Sequence, residues 1–478
     1  MKQVVYRFLL ISALLVLSLG SLLAQFSISG EFRPRAEYRN GYLKLGDSTM
    51  NPYTDILGRS RISFDFKSEK VVTCFSLQHA FVFGENNYGS DTISKNTVNI
   101  FEGWFKYNFT SSLSFRIGRA VLSYDDQRVF GASNWKQSGA THDIVNLMWE
   151  VAGYNYKGDF GFAVNNMAPP TAAFLSSYNL RNYKYMSYLW EQKKFFNEKL
   201  KISVVGIIDA NQKNGTPSIK TTTETLYVTN GQDTIGTTVI KKDTKITELY
   251  PNTLYVRATV GGNVWYTWKN LSLFASGYYQ GGHYKDGRKL SAVFYGGFIA
   301  YQVVKPLKLQ AGYEHLSGND FSDTTEYNSK LHGFSTLWGT NHVFYGYMDM
   351  FTVHLGQDAL QAGLNDLYAR ATVTISGKTS LEATYRWFSL PFGYLKAQPP
   401  QANPLPYQKV GKDLGSEIDV MFLYKPLPNL ELNAAYCLYL KTTTREILDN
   451  LPPGHGRLGQ YGYIMITYKP NFFTSEKK

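Results

Sequence analysis

Cysteine is nearly absent from this chain, which carries only Cys74 and Cys437 among its 478 residues. Two cysteines cannot provide the set of disulfides that holds small secreted domains together. The fold must therefore be stabilised by other means. We expect both cysteines to be ordinary residues of a sheet, with no disulfide between them.

Long apolar runs are also missing once the N-terminus is passed. A helix that crosses a membrane needs about 20 mostly apolar residues, and no segment after Ala24 supplies them. The N-terminus has basic residues at its start, an apolar stretch from Phe8 to Leu19 and a small residue, Ala24. This pattern is typical of a secretory signal peptide. We predict a signal peptide over residues 1–24 and one exported domain over residues 25–478.

Motifs of the common enzyme and binding classes are missing as well. No serine lies in a G-x-S-x-G elbow, and the spacing of the eight histidines matches no known metal-ligand pattern. The net charge is +12, but no RNP-like, zinc-finger or helix-turn-helix pattern accompanies it. We therefore expect no enzyme activity, no metal, no cofactor and no nucleic-acid partner.

What the chain has instead is regular alternation of apolar and polar residues. Between Leu367 and Trp387, apolar residues such as Ala369, Ala371 and Val373 alternate with polar ones, with a short break at Gly377. Side chains alternate across a strand with period two, so this stretch predicts a hairpin with one apolar and one charged face. A soluble sheet buries its apolar face under a second layer, whereas a membrane barrel turns that face to lipid.

The apolar faces of the clearest strands carry no charge, and this favours the membrane barrel. A charged Arg or Lys in contact with lipid costs roughly 2–4 kcal/mol at the bilayer midplane. The opposite faces hold many charges. A two-layer soluble sandwich would give the same one-sided pattern on some strands, but it would not need so many charges on the other face. The sequence therefore predicts an all-β fold, a closed antiparallel transmembrane β-barrel of about 18 strands. The predicted strands are 26–39, 57–67, 71–83, 97–109, 112–119, 142–156, 158–166, 181–194, 199–209, 252–268, 270–282, 289–304, 306–317, 366–377, 379–389, 414–425, 429–442 and 459–469.

Short turns and long links alternate between these strands, as they do between the periplasmic turns and extracellular loops of outer-membrane barrels. The segment from His342 to Gly356 could also be a strand, but counting it would place short turns on the extracellular side of the membrane. We therefore leave it within the link 318–365. That link is too apolar to extend freely into water, so we expect it to fold inward and narrow the pore. In the link 210–251 we expect a hairpin between Thr225 and Ile240.

Several segments resemble the alginate-export family of outer-membrane β-barrels. The most specific block runs from Arg116 to Arg119, continues through 122–131, and ends with Asn134-Trp135 and His142-Asp143. The opening strand around 30–35 and segments between 316 and 366 resemble the same family. The resemblance implies an 18-stranded barrel in the bacterial outer membrane that passes alginate, an anionic polysaccharide, through a basic pore.

Arginines are the candidate pore-lining residues, because rings of Arg or Lys select anions. Alternation places eight of them on the inward face: Arg33, Arg35, Arg59, Arg61, Arg116, Arg257, Arg370 and Arg386. Arg119 and Arg128 belong to the family-like block, although alternation puts Arg119 on the lipid side unless the strand bulges. The alternative role for each arginine is an ion pair with an acidic residue of the same wall. Trp135 and Trp338 are further candidates, since loop tryptophans can stack on sugar rings.

These observations predict a passive outer-membrane channel. Its partners would be membrane lipid and an anionic oligo- or polysaccharide, or small anions. The alternative is a barrel without a transport role, whose lumen is closed by loops and which binds at the surface or has a structural task.

Overall fold

The computed structural model describes residues 24–84, 98–165, 183–212, 218–230, 233–245, 254–285, 287–320, 330–351, 362–397 and 407–475. The predicted signal peptide lies outside these residues, except for Ala24. Across the described ranges, no helix is both long enough and apolar enough to cross a membrane.

Eighteen antiparallel strands form a closed barrel, as predicted. Each strand pairs with the next in sequence, and the first pairs with the last, where Arg35 lies opposite Met465. Closure leaves no strand edge open to another chain. The strands are β1 (Gln25–Phe32 and Arg35–Asn40), β2 (Tyr53–Lys67), β3 (Val71–Val82), β4 (Asn99–Asn108), β5 (Leu113–Ala120), β6 (His142–Val151), β7 (Tyr156–Val164), β8 (Tyr185–Phe195), β9 (Leu200–Gln212), β10 (Leu254–Trp268), β11 (Leu271–His283), β12 (Lys289–Val304), β13 (Leu307–Leu316), β14 (Leu364–Ser376), β15 (Thr379–Ser389), β16 (Asp413–Leu427), β17 (Leu430–Leu440) and β18 (Gly459–Tyr468 and Asn471–Thr474).

Strand β1 is interrupted at Pro34, which has no N–H group to donate to a ladder. Its neighbour Arg33 still exchanges backbone hydrogen bonds with Arg59 of β2, at 2.8 and 3.2 Å. The Pro34 carbonyl accepts from Ile466 of β18 at 3.1 Å. The wall therefore stays closed where the strand bends, and the irregularity expected at Pro34 is present.

The two faces of the wall differ as alternation predicted. On β16, the Val420 side chain is 40% exposed on the outside, whereas its neighbour Asp419 is 1% exposed on the inside. The same contrast holds on β14 between Leu367 and Tyr368. Apolar side chains face outward to lipid and polar ones face the lumen, as in outer-membrane barrels.

The buried core lies inside the barrel, where two loops pack against the inner wall. We call residues 121–141, between β5 and β6, loop A, and residues 330–351, between β13 and β14, loop B. Phe130 of loop A and Trp338 of loop B stack with ring centroids 5.4 Å apart. The backbones of the same two residues form an isolated parallel β-bridge. The described part of the link 318–365 therefore folds inward.

Three smaller features bear on the sequence predictions. The segment His342–Gly356 contains no strand in its described part, where the only regular element is a 3₁₀ turn at Asn341–Val343. The expected hairpin is longer than predicted and pairs Ser218–Asn230 with Asp233–Lys245. Cys74 on β3 and Cys437 on β17 are both free, as predicted, and both are buried.

Candidate pore and its inward loops

Arg33 points into the lumen and binds the turn 134–137 of loop A. Its guanidinium donates to the Asn134 carbonyl at 2.6 Å, the Lys136 carbonyl at 3.1 Å and the Gln137 amide oxygen at 2.8 Å. All three acceptors are neutral. Within the described residues Arg33 has no carboxylate partner at salt-bridge distance, so the dipoles of the turn are what compensate its buried charge.

Arg35 and Arg59 bind the same turn. Arg35 donates to the Trp135 carbonyl at 2.6 Å, and Arg59 donates to the Asn134 side-chain oxygen at 2.9 Å. Each also has an acidic neighbour: Arg35 pairs with Glu37, and Arg59 pairs with Glu31. Three arginines thus meet one turn of loop A, which covers their guanidinium groups.

Most other inward arginines are paired with acidic residues of the wall. Arg61 donates to the Gln78 amide oxygen at 3.2 Å, lies 4.0 Å from Glu31 and packs over the Phe101 ring at 3.5 Å. The remaining ion pairs are Arg257–Asp209 at 2.9 Å, Arg370–Glu382 at 3.2 Å, and Arg386–Asp366. Arg116 instead donates to the Asn146 amide oxygen at 3.1 Å.

Arg119 does not line the lumen. No bulge interrupts the register of β5, so Arg119 falls on the same outward face as Ile117. Its side chain is 45% exposed and pairs with the 50% exposed Asp143 at 2.8 Å. The family-like block therefore contributes Arg116 and Arg128 to the interior, but not Arg119.

Arg128 joins loop A, loop B and the wall. It binds both carboxylate oxygens of Glu314 on β13, at 2.7 and 2.8 Å, and the Tyr345 hydroxyl of loop B at 2.9 Å. Its guanidinium also lies 3.8 Å from the Phe344 ring centroid. Burial alone would lower the pKa of Arg128, but the Glu314 carboxylate raises that pKa well above its usual value.

The two candidate sugar-stacking tryptophans both stack on protein groups. Trp135 lies between the Arg35 guanidinium, 3.7 Å from its ring, and the His342 ring, 3.8 Å away. Trp338 stacks on Phe130. Both rings help to hold loops A and B together.

The sequence prediction named only arginines and therefore missed a group of lysines near the short turns. Lys106, Lys157 and Lys201 face the lumen on β4, β7 and β9. Lys106 lies near Arg116, and Lys157 lies near Lys201. We call these four residues the basic arc. Two signals in the sequence identify these lysines. Alternation places them on the inward face, and each lies near the strand end that meets a short turn, so they surround that mouth of the barrel.

Aromatic rings accompany the basic arc. Lys201 lies 3.5 Å from the Trp265 ring centroid and Lys157 lies 5.4 Å from that of Trp190. A cavity of about 300 Å³ opens beside Lys106, Lys157 and Trp190. Above it, the carboxylate of Asp125 in loop A accepts from the Trp190 indole at 2.9 Å, and burial raises the pKa of Asp125.

A family model for alginate export matches residues 26–441. The chain belongs to the alginate export family. The family and the closed barrel place it in the bacterial outer membrane. No group of three or more His, Cys, Asp or Glu side chains in the described part of the chain is arranged to hold a metal ion. Comparison with curated proteins gave no match.

Solved structures of outer-membrane porins share the fold. OccAB1 of Acinetobacter baumannii is 11% identical with a TM-score of 0.56, and the superposition covers 94% of this chain and 97% of that one. A BenF-like porin of Pseudomonas fluorescens is 9% identical with a TM-score of 0.56, covering 94% and 99%. OpdK of Pseudomonas aeruginosa is 9% identical with a TM-score of 0.55, covering 94% and 99%. At these identities the likeness concerns the fold.

Proposed function

We propose that this barrel is a passive channel for an anionic oligo- or polysaccharide, or for small anions. The observation that carries the proposal is the basic arc. Lys106, Lys157 and Lys201 form no ion pair at salt-bridge distance with any described residue, although Glu150 faces Lys157 and lines the same cavity. Their positive charge is therefore available to a carboxylated or otherwise anionic solute that reaches this mouth from the periplasm.

The magnitude of the effect requires several charges acting together. Two unit charges about 4 Å apart in water interact by about 1 kcal/mol, and salt screens them beyond about 8 Å at physiological ionic strength. One lysine therefore favours anions only several-fold. Three lysines and Arg116 around one mouth reach a preference of about tenfold, equivalent to about 1.4 kcal/mol.

A tryptophan beside the basic arc, Trp265, supports a saccharide as the solute. Trp265 lies half-buried beside Lys201, whereas Trp190, beside Lys157, is 6% exposed and stacked on Tyr124. Trp265 therefore offers the ring surface here, and aromatic rings combine apolar area with one polar edge. A sugar acid has the same mixture of apolar and charged groups. Small inorganic anions need only the charge.

The test is the zero-current potential across a bilayer that separates two salt concentrations. We expect the wild type to favour anions and the variant with Lys106, Lys157 and Lys201 changed to Gln to lose most of that preference. The matched control changes Lys70, Lys305 and Lys378 to Gln. These three lysines lie in the short turns themselves, so the control removes the same number of positive charges without changing the lumen-facing wall. A cation-selective wild type, or equal effects of both triple variants, would overturn the proposal.

The second candidate is a barrel whose lumen is closed by its loops. Loops A and B favour it, because their contact through Phe130 and Trp338 is buried and Arg128 fixes both to the wall. The discriminating measurement is single-channel current. A folded protein that carries no current under any condition supports this candidate and excludes the channel.

A further inference from the structure

Loop B meets the inner wall at Glu417 of β16. The backbone N–H of Met348 donates to one carboxylate oxygen of Glu417 at 2.8 Å. Gly346, with φ of 88°, lies so close that a Cβ atom there would be 2.4 Å from the other oxygen. Only glycine combines that backbone conformation with so close an approach. The segment 346–348 is thus wrapped around the Glu417 carboxyl group.

A second carboxyl group lies beside the first. Asp419 is two residues further along β16, on the same inward face, and close enough for the two groups to interact. Glu417 is 0% exposed and Asp419 is 1% exposed. Among the described residues, no N–H or O–H group donates to either oxygen of Asp419 or to the second oxygen of Glu417. The weak S–H donor of Cys437 interacts with Asp419. Buried carboxylate oxygens without donors are rare and require an explanation.

Arg386 acts electrostatically on both carboxyl groups of the pair, but a third carboxylate shares it. Arg386 lies opposite Glu417 in the pairing of β15 with β16, but its guanidinium is bonded to Asp366 of β14. The other titratable or charged groups around the pair come from β13, β14, β17, β18 and loop B, and most of them are acidic or neutral. They are Glu314, Arg370, Cys437, Tyr439, Tyr463, Tyr347 and Asp349.

We propose that Glu417 and Asp419 share one proton, and that this proton keeps loop B seated on the wall. A hydrogen on one carboxyl group supplies the donor that the orphaned oxygens lack, and it removes one of two like charges from a buried site. Two adjacent buried carboxyl groups do not both ionise readily. When the proton leaves, both charges need water, and loop B is what excludes water.

The direction of the pH effect follows from this. The seated state binds one proton more than the lifted state, so acid favours the seated loop and alkali favours the lifted loop. The inference adds a form of control to the proposed channel. The shared proton rests on the proposed channel function only where an effect on ionic current is expected.

Chemical modification of the Cys437 thiol can report the lifting of loop B. The Cys437 side chain is 0% exposed and lies opposite Asp419 in the pairing of β16 with β17, in the wall that loop B covers. A charged, water-soluble methanethiosulfonate reagent reaches it only when the loop lifts. Cys74, free and buried on β3, serves as the reference thiol. Each thiol is measured alone, in Cys74→Ala and Cys437→Ala variants of the full-length barrel.

The quantity to compare is the ratio of the modification rates of Cys437 and Cys74 from pH 6 to pH 9. Thiolate content changes each rate by at most about tenfold per pH unit, and the ratio removes the part of this trend that both thiols share. A charged Asp419 opposite Cys437 repels its thiolate, so this effect opposes the expected rise and cannot produce it. We expect the ratio to rise at least about tenfold in the wild type. In Glu417→Gln and in Asp419→Asn it should stay flat, because neither variant keeps a pair that can lose a proton. Asp65→Asn, which changes a carboxyl group near the reference thiol, is the matched control and should leave the rise unchanged.

A flat ratio in the wild type, or an equal rise in Glu417→Gln and Asp419→Asn, overturns the proposal. Migration of unboiled protein on a gel identifies variants that fail to fold, and Glu417→Asp then replaces a failed Glu417→Gln. Single-channel current over the same pH range separates the two proposals. A rising thiol ratio with no current at any pH supports the shared proton and excludes the channel.

Discussion

Among individual residues, Arg128 illustrates how much one buried side chain holds in place. It forms two hydrogen bonds with Glu314 and one with Tyr345, and it is 2% exposed. Removing one partner of a buried ion pair costs about 3–5 kcal/mol, because the other charge is left without compensation. The contrast is Arg119, whose pair with Asp143 is exposed and is expected to contribute at most about 1 kcal/mol.

We therefore predict that Arg128→Gln destabilises the protein strongly and Arg119→Gln hardly at all. The reason is that only the first change leaves a buried carboxylate, that of Glu314, without its cation. Thermal unfolding in detergent, followed by the loss of the fast-migrating form on a gel, measures the difference. Equal transition temperatures for the two variants would show that Arg128 does not have this role.

Gly346 offers a second test at the scale of one residue. A Cβ atom at this position collides with Glu417, and the positive φ adds backbone strain. We predict that Gly346→Ala displaces loop B and raises single-channel conductance near neutral pH. Gly377→Ala is the control, because a Cβ at Gly377 meets no atom within 4 Å. Unchanged conductance in a folded Gly346→Ala protein would argue against this contact as the seat of the loop.

Among the larger elements, loop B is the one expected to control the width of the pore. We predict that deleting residues 329–356 raises single-channel conductance, because the deletion removes buried groups such as Tyr345 and Met348 from the lumen. Residues 329 and 352–356 lie outside the described structure. Deleting the hairpin Ser218–Lys245, which pairs with no barrel strand, is the control and should leave conductance unchanged. If both deletions behave alike, loop B does not narrow the path.

Strands β1 and β2 carry the arginines Arg33, Arg35, Arg59 and Arg61, which remain candidates for anion selectivity. Three of them bind the turn 134–137, so changing all four to Gln removes positive charge and also frees that turn. We predict a weaker anion preference, with the difference largest at low salt where screening is least. The zero-current potential at two ionic strengths measures it. If the quadruple variant keeps the full preference, these arginines only fasten loop A.

For the whole molecule, closure of the sheet predicts resistance to detergent at room temperature, because no strand edge is available for unravelling. We expect an unboiled sample to migrate faster than a boiled one on a denaturing gel. Reduction should change neither position, since Cys74 and Cys437 are free. Identical migration before and after boiling would contradict the closed barrel, and a shift on reduction would contradict the free thiols.

Alternation alone predicted the wall with few errors. Every one of the predicted strands overlaps a strand of the barrel, and 289–304 and 379–389 agree at both ends. The departures occur at strand ends, where β2 begins at Tyr53 and β18 resumes at Asn471 after a break at Pro470. The residue at which a strand ends depends on its pairing with the neighbouring strands. The local alternation of apolar and polar residues does not contain that information.

The sequence by itself determined which residues face lipid and which face the lumen, because a period of two is a local property of each strand. It also indicated that the link 318–365 is too apolar to remain in water. Only the tertiary structure decided which inward charges are paired. Arg128 meets Glu314 across 186 residues, and Arg33 meets Gln137 across 104. Alternation fixes the face of a side chain, but its partner depends on how loops A and B fold back into the barrel.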